Sequence, residues 1–148
     1  MKKLSSVFYM WVGLGFGLLA VFMMFVPVAS LAGGYIVSAK ELFWSDGLSG
    51  GAWPSFVGYM LILVGALMMG VMALPMVQPS TQTEKIVLIS AGASILIGGI
   101  LVGLIYVFYS ANDGFYSYLD SYKAGYFLTL SFAAVAIVAD AIALALDW

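Results

Sequence analysis

Asp140 is the residue of this chain that is best placed to carry chemistry. It is the only Asp, Glu, Lys or Arg within four long apolar segments, and it is surrounded by small and branched residues in Ala133–Ala141. A carboxylate inside a membrane-crossing helix is costly and often serves as a proton relay or an ion ligand. Two other interpretations stay open. Asp140 could anchor its helix by reaching the inner headgroups or by pairing with Lys85, or it could bind a partner subunit.

Several other kinds of chemistry are excluded by composition. The chain has no cysteine and no histidine, and all five of its basic residues are lysines. Thiol chemistry, histidine-ligated haem and the usual zinc sites therefore have no ligands here. Bidentate arginine clamps are also absent. A net charge of −2 without a basic patch argues against nucleic-acid binding. We therefore predict no catalytic residue, no cofactor and no metal site, and expect a protein that is not an enzyme.

The elements that position Asp140 are four apolar segments. The chain is 64% hydrophobic and 8% charged, with a mean hydropathy of +1.12, whereas soluble domains average about 25% charged residues. A membrane-spanning helix needs roughly 20 apolar residues. The predicted spans are about Val7–Ala29, Phe56–Leu74, Ile86–Tyr109 and Tyr126–Leu146. The sequence predicts an all-α integral membrane protein, with one four-helix transmembrane domain over residues 1–148.

Short interfacial helices are expected in both outer loops. In the first loop, Ser38–Glu41 fits a capping box that would start a helix carrying Trp44. In the second loop, a cap at Asn112 or Asp113 would start a helix with aromatic residues on one side. The members of that side are Phe115, Tyr118, Leu119 and Tyr122. Thr81–Glu84 is another capping-box match and is expected to begin the third long helix.

Lysine positions predict the orientation. Lys2, Lys3 and Lys85 lie on one side of the predicted spans, and Lys40 and Lys123 lie on the other. Because cytoplasmic loops carry an excess of basic residues, we expect both termini in the cytoplasm and the two aromatic-rich loops outside.

Small residues at four-residue spacing predict close helix packing. The candidate positions are Gly13, Gly17, Ala66, Gly70, Gly99 and Gly103. Spacing alone leaves open whether the partner helix belongs to the same chain or to another one.

Aromatic residues are concentrated on the predicted outer side. The candidates for recognition of a partner are Trp44, Trp53, Phe115, Tyr118 and Tyr122. An interfacial belt is the simpler interpretation. Beyond the lipid bilayer, the expected partners are other membrane subunits or further copies of the chain.

The layout resembles tetraspan families such as the claudins, with inner termini, a longer first outer loop and a shorter second one. The claudin first loop has a Trp, then Gly-Leu-Trp, then two cysteines. Here Trp44 and Trp53 flank Gly47 and Leu48, and the cysteines are missing. The resemblance is one of topology and implies no function.

Two classes of function follow from these patterns. The first is a non-enzymatic structural or accessory tetraspan protein that packs with itself or with a larger membrane complex. The alternative is a small transporter or channel subunit that uses Asp140. A continuous polar stripe across the bundle would favour the alternative, but the spans contain only scattered hydroxyls such as Ser90, Ser94, Thr129 and Ser131.

Overall fold

Four long helices dominate the computed structural model of the chain, which describes residues 4–31, 35–38, 53–77, 80–104 and 119–146. The helices are α1 (Leu4–Phe22), α2 (Trp53–Ala73), α3 (Thr81–Gly103) and α4 (Ala124–Leu146). They form four segments of 20 to 23 residues that are long and apolar enough to cross a membrane, the first of which extends three residues beyond α1, to Phe25. The predicted four-helix bundle is confirmed.

The helices pack in a ring in chain order. α1 lies between α2 and α4, and α3 completes the ring on the other side. Neighbouring helices are antiparallel: Gly13 of α1 lies against Met69 of α2, whereas the later Gly17 lies against the earlier Ala66. The first and last helices are therefore in direct contact, which makes the bundle closed rather than a row of hairpins.

Pro27 sets the end of the first helix. The predicted span ran to Ala29, but α1 ends at Phe22 and is followed by a single 3-10 turn, Met23–Phe25. Proline has no N–H and disfavours the helical conformation in the residue before it. Val26 is accordingly extended, and its N–H caps the turn by donating to the Met23 carbonyl. Pro27 then begins a strand.

The start of α3 is capped one residue earlier than the sequence pattern indicated. The N-cap is Ser80, whose hydroxyl accepts a hydrogen bond from the Thr83 N–H at 3.2 Å. The same hydroxyl donates to the Thr83 hydroxyl at 2.9 Å. Ser80 and Thr81 are both good cap residues, so the residue types alone could not show which of the two is the N-cap.

A small antiparallel sheet lies at the end of the bundle where α1 finishes and α4 starts. Its strands are β1 (Pro27–Leu31), β2 (Tyr35–Ser38) and β3 (Leu119–Tyr122), in the order β2-β1-β3 within the described residues. Ser30 pairs with Ile36 of β2 and with Ser121 of β3. β1 therefore joins the segment after α1 to the segment before α4.

This sheet adds three short strands to the helical fold and replaces part of one of the two predicted loop helices. Leu119 and Tyr122 were expected on the aromatic side of a short helix, but they belong to β3. Tyrosine favours strands as well as interfaces, and pairing with β1 satisfies backbone groups that a helix would have satisfied locally. The helical spacing of a few aromatic residues was too short a pattern to distinguish the two. The rest of that prediction, and the helix expected around Trp44, lie outside the described residues.

Gly125 holds the sheet against the bundle. A Cβ atom built on Gly125 would come within 2.7 Å of the Val26 carbonyl oxygen and 2.6 Å of the Pro27 carbonyl oxygen. The first turn of α4 therefore rests directly on the backbone that connects α1 to β1, and a side chain at Gly125 would separate them.

Candidate functional site

Asp140 lies inside the bundle, in the interface between α4 and α3. Its side chain is 3% exposed. The carboxyl group is directed at Gly92 of α3, where an added Cβ atom would lie 2.5 Å from Oδ2. The other oxygen, Oδ1, is buried and has no hydrogen-bond partner among the residues that the structure describes. Asp140 is therefore a buried acid with one oxygen that has no hydrogen-bond partner within the described part of the chain.

Gly92 fixes the depth of this acid. α3 has 23 residues, and Gly92 is eleven residues from each end of it, or about 16 Å at 1.5 Å per residue. Asp140 is only six residues from the end of α4, but α3 extends well beyond it. The sequence suggested a carboxylate at the inner headgroups, whereas the structure places it opposite the middle of α3.

Lys85, the predicted ion-pair partner, is seven residues before Gly92 on α3. Seven residues are about two turns, or about 10 Å along the helix axis. The pairing of Lys85 with Asp140 stays a prediction.

The hydroxyl groups of the bundle join neighbouring helices. Ser94 of α3 donates to the Leu61 carbonyl of α2 at 2.7 Å, and Ser55 of α2 donates to the Leu101 carbonyl of α3 at 2.8 Å. Two more bonds tie α4 to its neighbours. They are Ser6 to the Ala143 carbonyl, at 3.0 Å, and Tyr126 to the Gly103 carbonyl, at 2.9 Å. These hydroxyl groups form hydrogen bonds that join neighbouring helices.

Tyr59 and Thr129 form a hydrogen-bonded chain between the opposite helices α2 and α4. Thr129 donates to the Gly125 carbonyl at 2.7 Å, so its single hydroxyl proton is used there. Tyr59 must then be the donor in the 3.2 Å bond between the two hydroxyls. Both side chains are fully buried. The chain leads from α2 to the turn of α4 that contacts β1.

Apolar side chains fill the rest of the bundle interior. The largest fully buried ones are Met10, Ile62, Met69, Leu88, Ile95 and Val102. Polar side chains are scattered between them, and several of them, such as Ser6, Ser55 and Thr129, donate hydrogen bonds to helix carbonyls. Within the described residues, this packing leaves no continuous row of polar groups from one end of the bundle to the other.

The predicted small-residue positions lie mainly between α1 and α2. Gly17 faces Ala66, and Gly70 faces Leu14, where an added Cβ atom would be 2.9 Å from a Leu14 methyl carbon. The two GxxxG-like patterns are therefore the two sides of one interface within the chain. Gly99 and Gly103 lie between α3 and α4 but are packed less tightly, since added Cβ atoms there would be 3.8 Å or more from their nearest neighbours.

The closest backbone-to-backbone contact between two described helices was not predicted from the sequence. Gly58 of α2 crosses Gly98 of α3, and an added Cβ atom on Gly58 would lie 2.7 Å from the Gly98 carbonyl oxygen. Gly65, two turns later, meets the Ala91 carbonyl oxygen at the same separation. The sequence feature that indicates this contact is the seven-residue spacing of Gly58 and Gly65, which a four-residue pattern does not include.

The predicted outer recognition residues are only partly within the described structure. Trp53 is the first residue of α2, and Tyr122 is the last residue of β3. Trp44, Phe115 and Tyr118 lie outside the described residues. The sheet joins the backbone of the segment after α1 to that of the segment before α4, since Ala29 pairs with Tyr122.

Two apolar grooves lie along α1. One, of about 220 Å³, runs between α1 and α2, and the other, of about 690 Å³, lies beside the first turns of α1. Trp11 lines both. Neither groove contains Asp140, and no group of three His, Cys, Asp or Glu residues that could hold a metal ion occurs in the described part of the chain.

No known family model, curated protein or solved structure matches this chain.

Proposed function

We propose that the chain is a multi-pass membrane protein with a non-enzymatic, structural or accessory role in a larger membrane assembly. The assembly consists of further copies of the chain or of another membrane protein. The observation that carries this proposal is the sheet. The sheet joins the segment after α1 to the segment before α4 at one end of the bundle. Most polar groups inside the bundle form hydrogen bonds between its own helices.

Membrane insertion is supported by the outer surface of the helices. Large apolar side chains project from all four of them, including Phe8, Val64, Ile97 and Val138, each about half exposed. A water-soluble protein rarely exposes apolar surface on this scale. In lipid the same surface is favourable, and the helices satisfy their own backbone hydrogen bonds.

A role in assembly is supported by how firmly the sheet is held. Gly125 packs against the Val26 and Pro27 carbonyls, and the Tyr59–Thr129 hydrogen bond fixes the same turn of α4 from the opposite helix. A surface held this way is pre-organised, so a partner binds without first ordering it. Aromatic side chains in both outer loops supply the residue types that dominate such interfaces.

Transport by a subunit that uses Asp140 is the second candidate. It is favoured by one observation, the position of the carboxyl opposite the middle of α3. Conduction also needs a path, however, and large apolar side chains such as Leu88 and Met10 are fully buried in the same bundle. We therefore rank the accessory role first.

Photo-cross-linking in the native membrane tests the proposal. A photoreactive amino acid is placed at Ile36 in β2 or Ser121 in β3, and the matched control is placed at Ile97 on the apolar surface of α3. We expect both sheet positions to give the same protein product, identified by mass spectrometry as one membrane protein or a second copy of this chain. The Ile97 control should label lipid.

One combination of results would contradict the accessory role. If the two sheet positions give no discrete protein product while the purified chain in liposomes moves protons or cations, and if Asp140→Asn abolishes that flux, the transport candidate replaces the accessory role.

A further inference from the structure

The two apolar grooves of α1 adjoin at Trp11, which lines both and is 45% exposed. The larger groove lies beside the first turns of α1, from Leu4 to Trp11. The smaller one continues between α1 and α2, from Trp11 to Leu74 near the end of α2. Together they form one apolar depression, called here the α1 groove, on the surface of the bundle.

The α1 groove opens away from the interior of the bundle. Gly70 of α2 is buried and lies against Leu14, where an added Cβ atom would be 2.9 Å from a methyl carbon. Leu67 and Val71, on the same stretch of α2, are each about half exposed. A glycine between two outward side chains leaves a recess that faces the surroundings of the bundle.

The length of the α1 groove matches one leaflet of a bilayer. From Leu4 to Leu14 it follows α1 for ten residues, or about 15 Å at 1.5 Å per residue. The hydrocarbon core of a bilayer is about 30 Å thick, so one leaflet contributes about half of that. An acyl chain of a lipid therefore has both the length and the chemistry that this groove accommodates.

Positive charge lies next to the first residue of the groove. Lys2 and Lys3 directly precede Leu4, and no Asp or Glu occurs before Glu41 or anywhere in α2. Ser5, whose hydroxyl can donate a hydrogen bond, is exposed and also lines the groove. Lysine binds phosphate as a point charge, and basic residues beside a membrane-spanning helix attract anionic lipids. The order along the chain, first basic and then apolar, is that of a phospholipid from headgroup to acyl chain.

We propose that the α1 groove binds an anionic phospholipid, with its phosphate at Lys2 and Lys3 and one acyl chain along Phe8, Trp11 and Leu14. The lipid belongs to the leaflet at the end of the bundle where α1 begins. This inference rests on the membrane insertion contained in the proposed function, and it does not depend on the role in assembly.

Quenching of tryptophan fluorescence by brominated lipid tests the proposal, because bromine quenches only at short range. The full chain is reconstituted into phosphatidylcholine vesicles with Trp11 as its single tryptophan, through Trp44→Phe, Trp53→Phe and Trp148→Phe. Brominated phosphatidylglycerol or brominated phosphatidylcholine is then added at the same mole fraction. We expect Trp11 to prefer phosphatidylglycerol at least about fivefold, the effect of one lysine beside an anionic lipid.

A second reporter separates the lipid site from membrane insertion. Ile97→Trp, combined with Trp11→Phe in the same background, places the only tryptophan on the exposed surface of α3, and both lipids should quench it equally. Equal quenching of Trp11 by both lipids would show ordinary surrounding lipid and overturn the site. Quenching at position 97 but not at Trp11 would mean that protein, such as a second copy, covers the groove. Quenching at neither position would contradict membrane insertion itself.

Two matched pairs of variants test the headgroup and the acyl chain separately. Lys2→Gln with Lys3→Gln should abolish the preference for phosphatidylglycerol, whereas Lys40→Gln with Lys123→Gln, which changes the net charge equally, should keep it. Val71→Phe should fill the groove and reduce quenching of Trp11 by phosphatidylglycerol. Val64→Phe is its control, because Val64 is as exposed as Val71 and lies two turns earlier on α2, outside the groove. Equal effects within either pair would overturn the proposal.

Discussion

Gly17 of α1 lies against Ala66 of α2 so closely that a Cβ atom added to Gly17 would be 2.5 Å from the Ala66 Cβ. Gly15, two residues earlier on the same helix, has nothing within 4 Å of the equivalent position. α1 therefore contains one glycine that close packing requires and one that it does not. Substituting each of them in turn distinguishes the effect of lost helix packing from the effect of simply replacing a glycine.

Gly17→Ala should destabilise the bundle by about 1–3 kcal/mol, because the added methyl group forces α1 and α2 apart. Gly15→Ala should leave stability within about 0.5 kcal/mol, as expected for a substitution that touches nothing. The measurement is unfolding of the purified protein in detergent. Adding Ala66→Gly to Gly17→Ala should restore stability. If Gly15→Ala costs as much as Gly17→Ala, the interface is placed wrongly.

Gly125→Ala should loosen the contact between α4 and the sheet. The new Cβ would meet the Val26 and Pro27 carbonyl oxygens at under 3 Å, so the first turn of α4 must move. We expect about 1–3 kcal/mol of destabilisation and faster amide hydrogen exchange in β1 and β3. Ala124→Gly, at the exposed preceding position, is the control and should not alter exchange in the strands. Unchanged strand protection in Gly125→Ala would show that the sheet does not depend on this contact.

Tyr59 and Thr129 should be energetically coupled across the bundle. Side-chain hydrogen bonds between membrane helices average about 0.6 kcal/mol in double-mutant cycles, with a maximum of about 1.7 kcal/mol. Tyr59→Phe and Thr129→Val should each destabilise, with Thr129→Val costing more because it also loses the bond to the Gly125 carbonyl. The double variant should cost less than the sum of the two. Strict additivity would mean that the hydroxyls do not interact.

Single-cysteine labelling should give the orientation, since the chain contains no cysteine. Ser121→Cys in β3 should react with an impermeant thiol reagent added outside intact cells, and Gln82→Cys at the start of α3 should react only after permeabilisation. The reverse pattern would invert the orientation predicted from the lysines, while equal external labelling of both would contradict a membrane-spanning α3.

The four helices were predictable because lipid imposes a simple rule of length and apolarity, which the sequence follows in four places. The end of α1 was harder to predict, because the apolar run continues through Pro27 into β1. Hydropathy does not distinguish an apolar helix from an apolar strand. β3 was mistaken for a helix because its identity depends on β1, about 90 residues away in the chain.

The surroundings of Asp140 could be predicted only in part. Its sequence position indicated an acid near the inner end of a membrane-spanning helix, and Gly92 could not be linked to it, because the pairing depends on the register between α3 and α4. Lys85 was the sequence's candidate because it carries the complementary charge, whereas the residue that faces Asp140 is defined by having no side chain. A charged residue can be recognised in the sequence, whereas the space beside a glycine depends on how the helices pack.

We propose that this chain works as one component of a larger membrane assembly. Native mass spectrometry of particles cut directly from the natural membrane by an amphipathic polymer tests it most directly, because no detergent separates subunits. We expect the 15.8 kDa chain to be recovered with further copies of itself or with a second membrane protein, in a fixed ratio. We also expect Ile97→Ala, on the lipid-facing surface, to leave that ratio unchanged. Recovery of the chain only as a monomer with lipid, across a range of expression levels, would contradict this proposal.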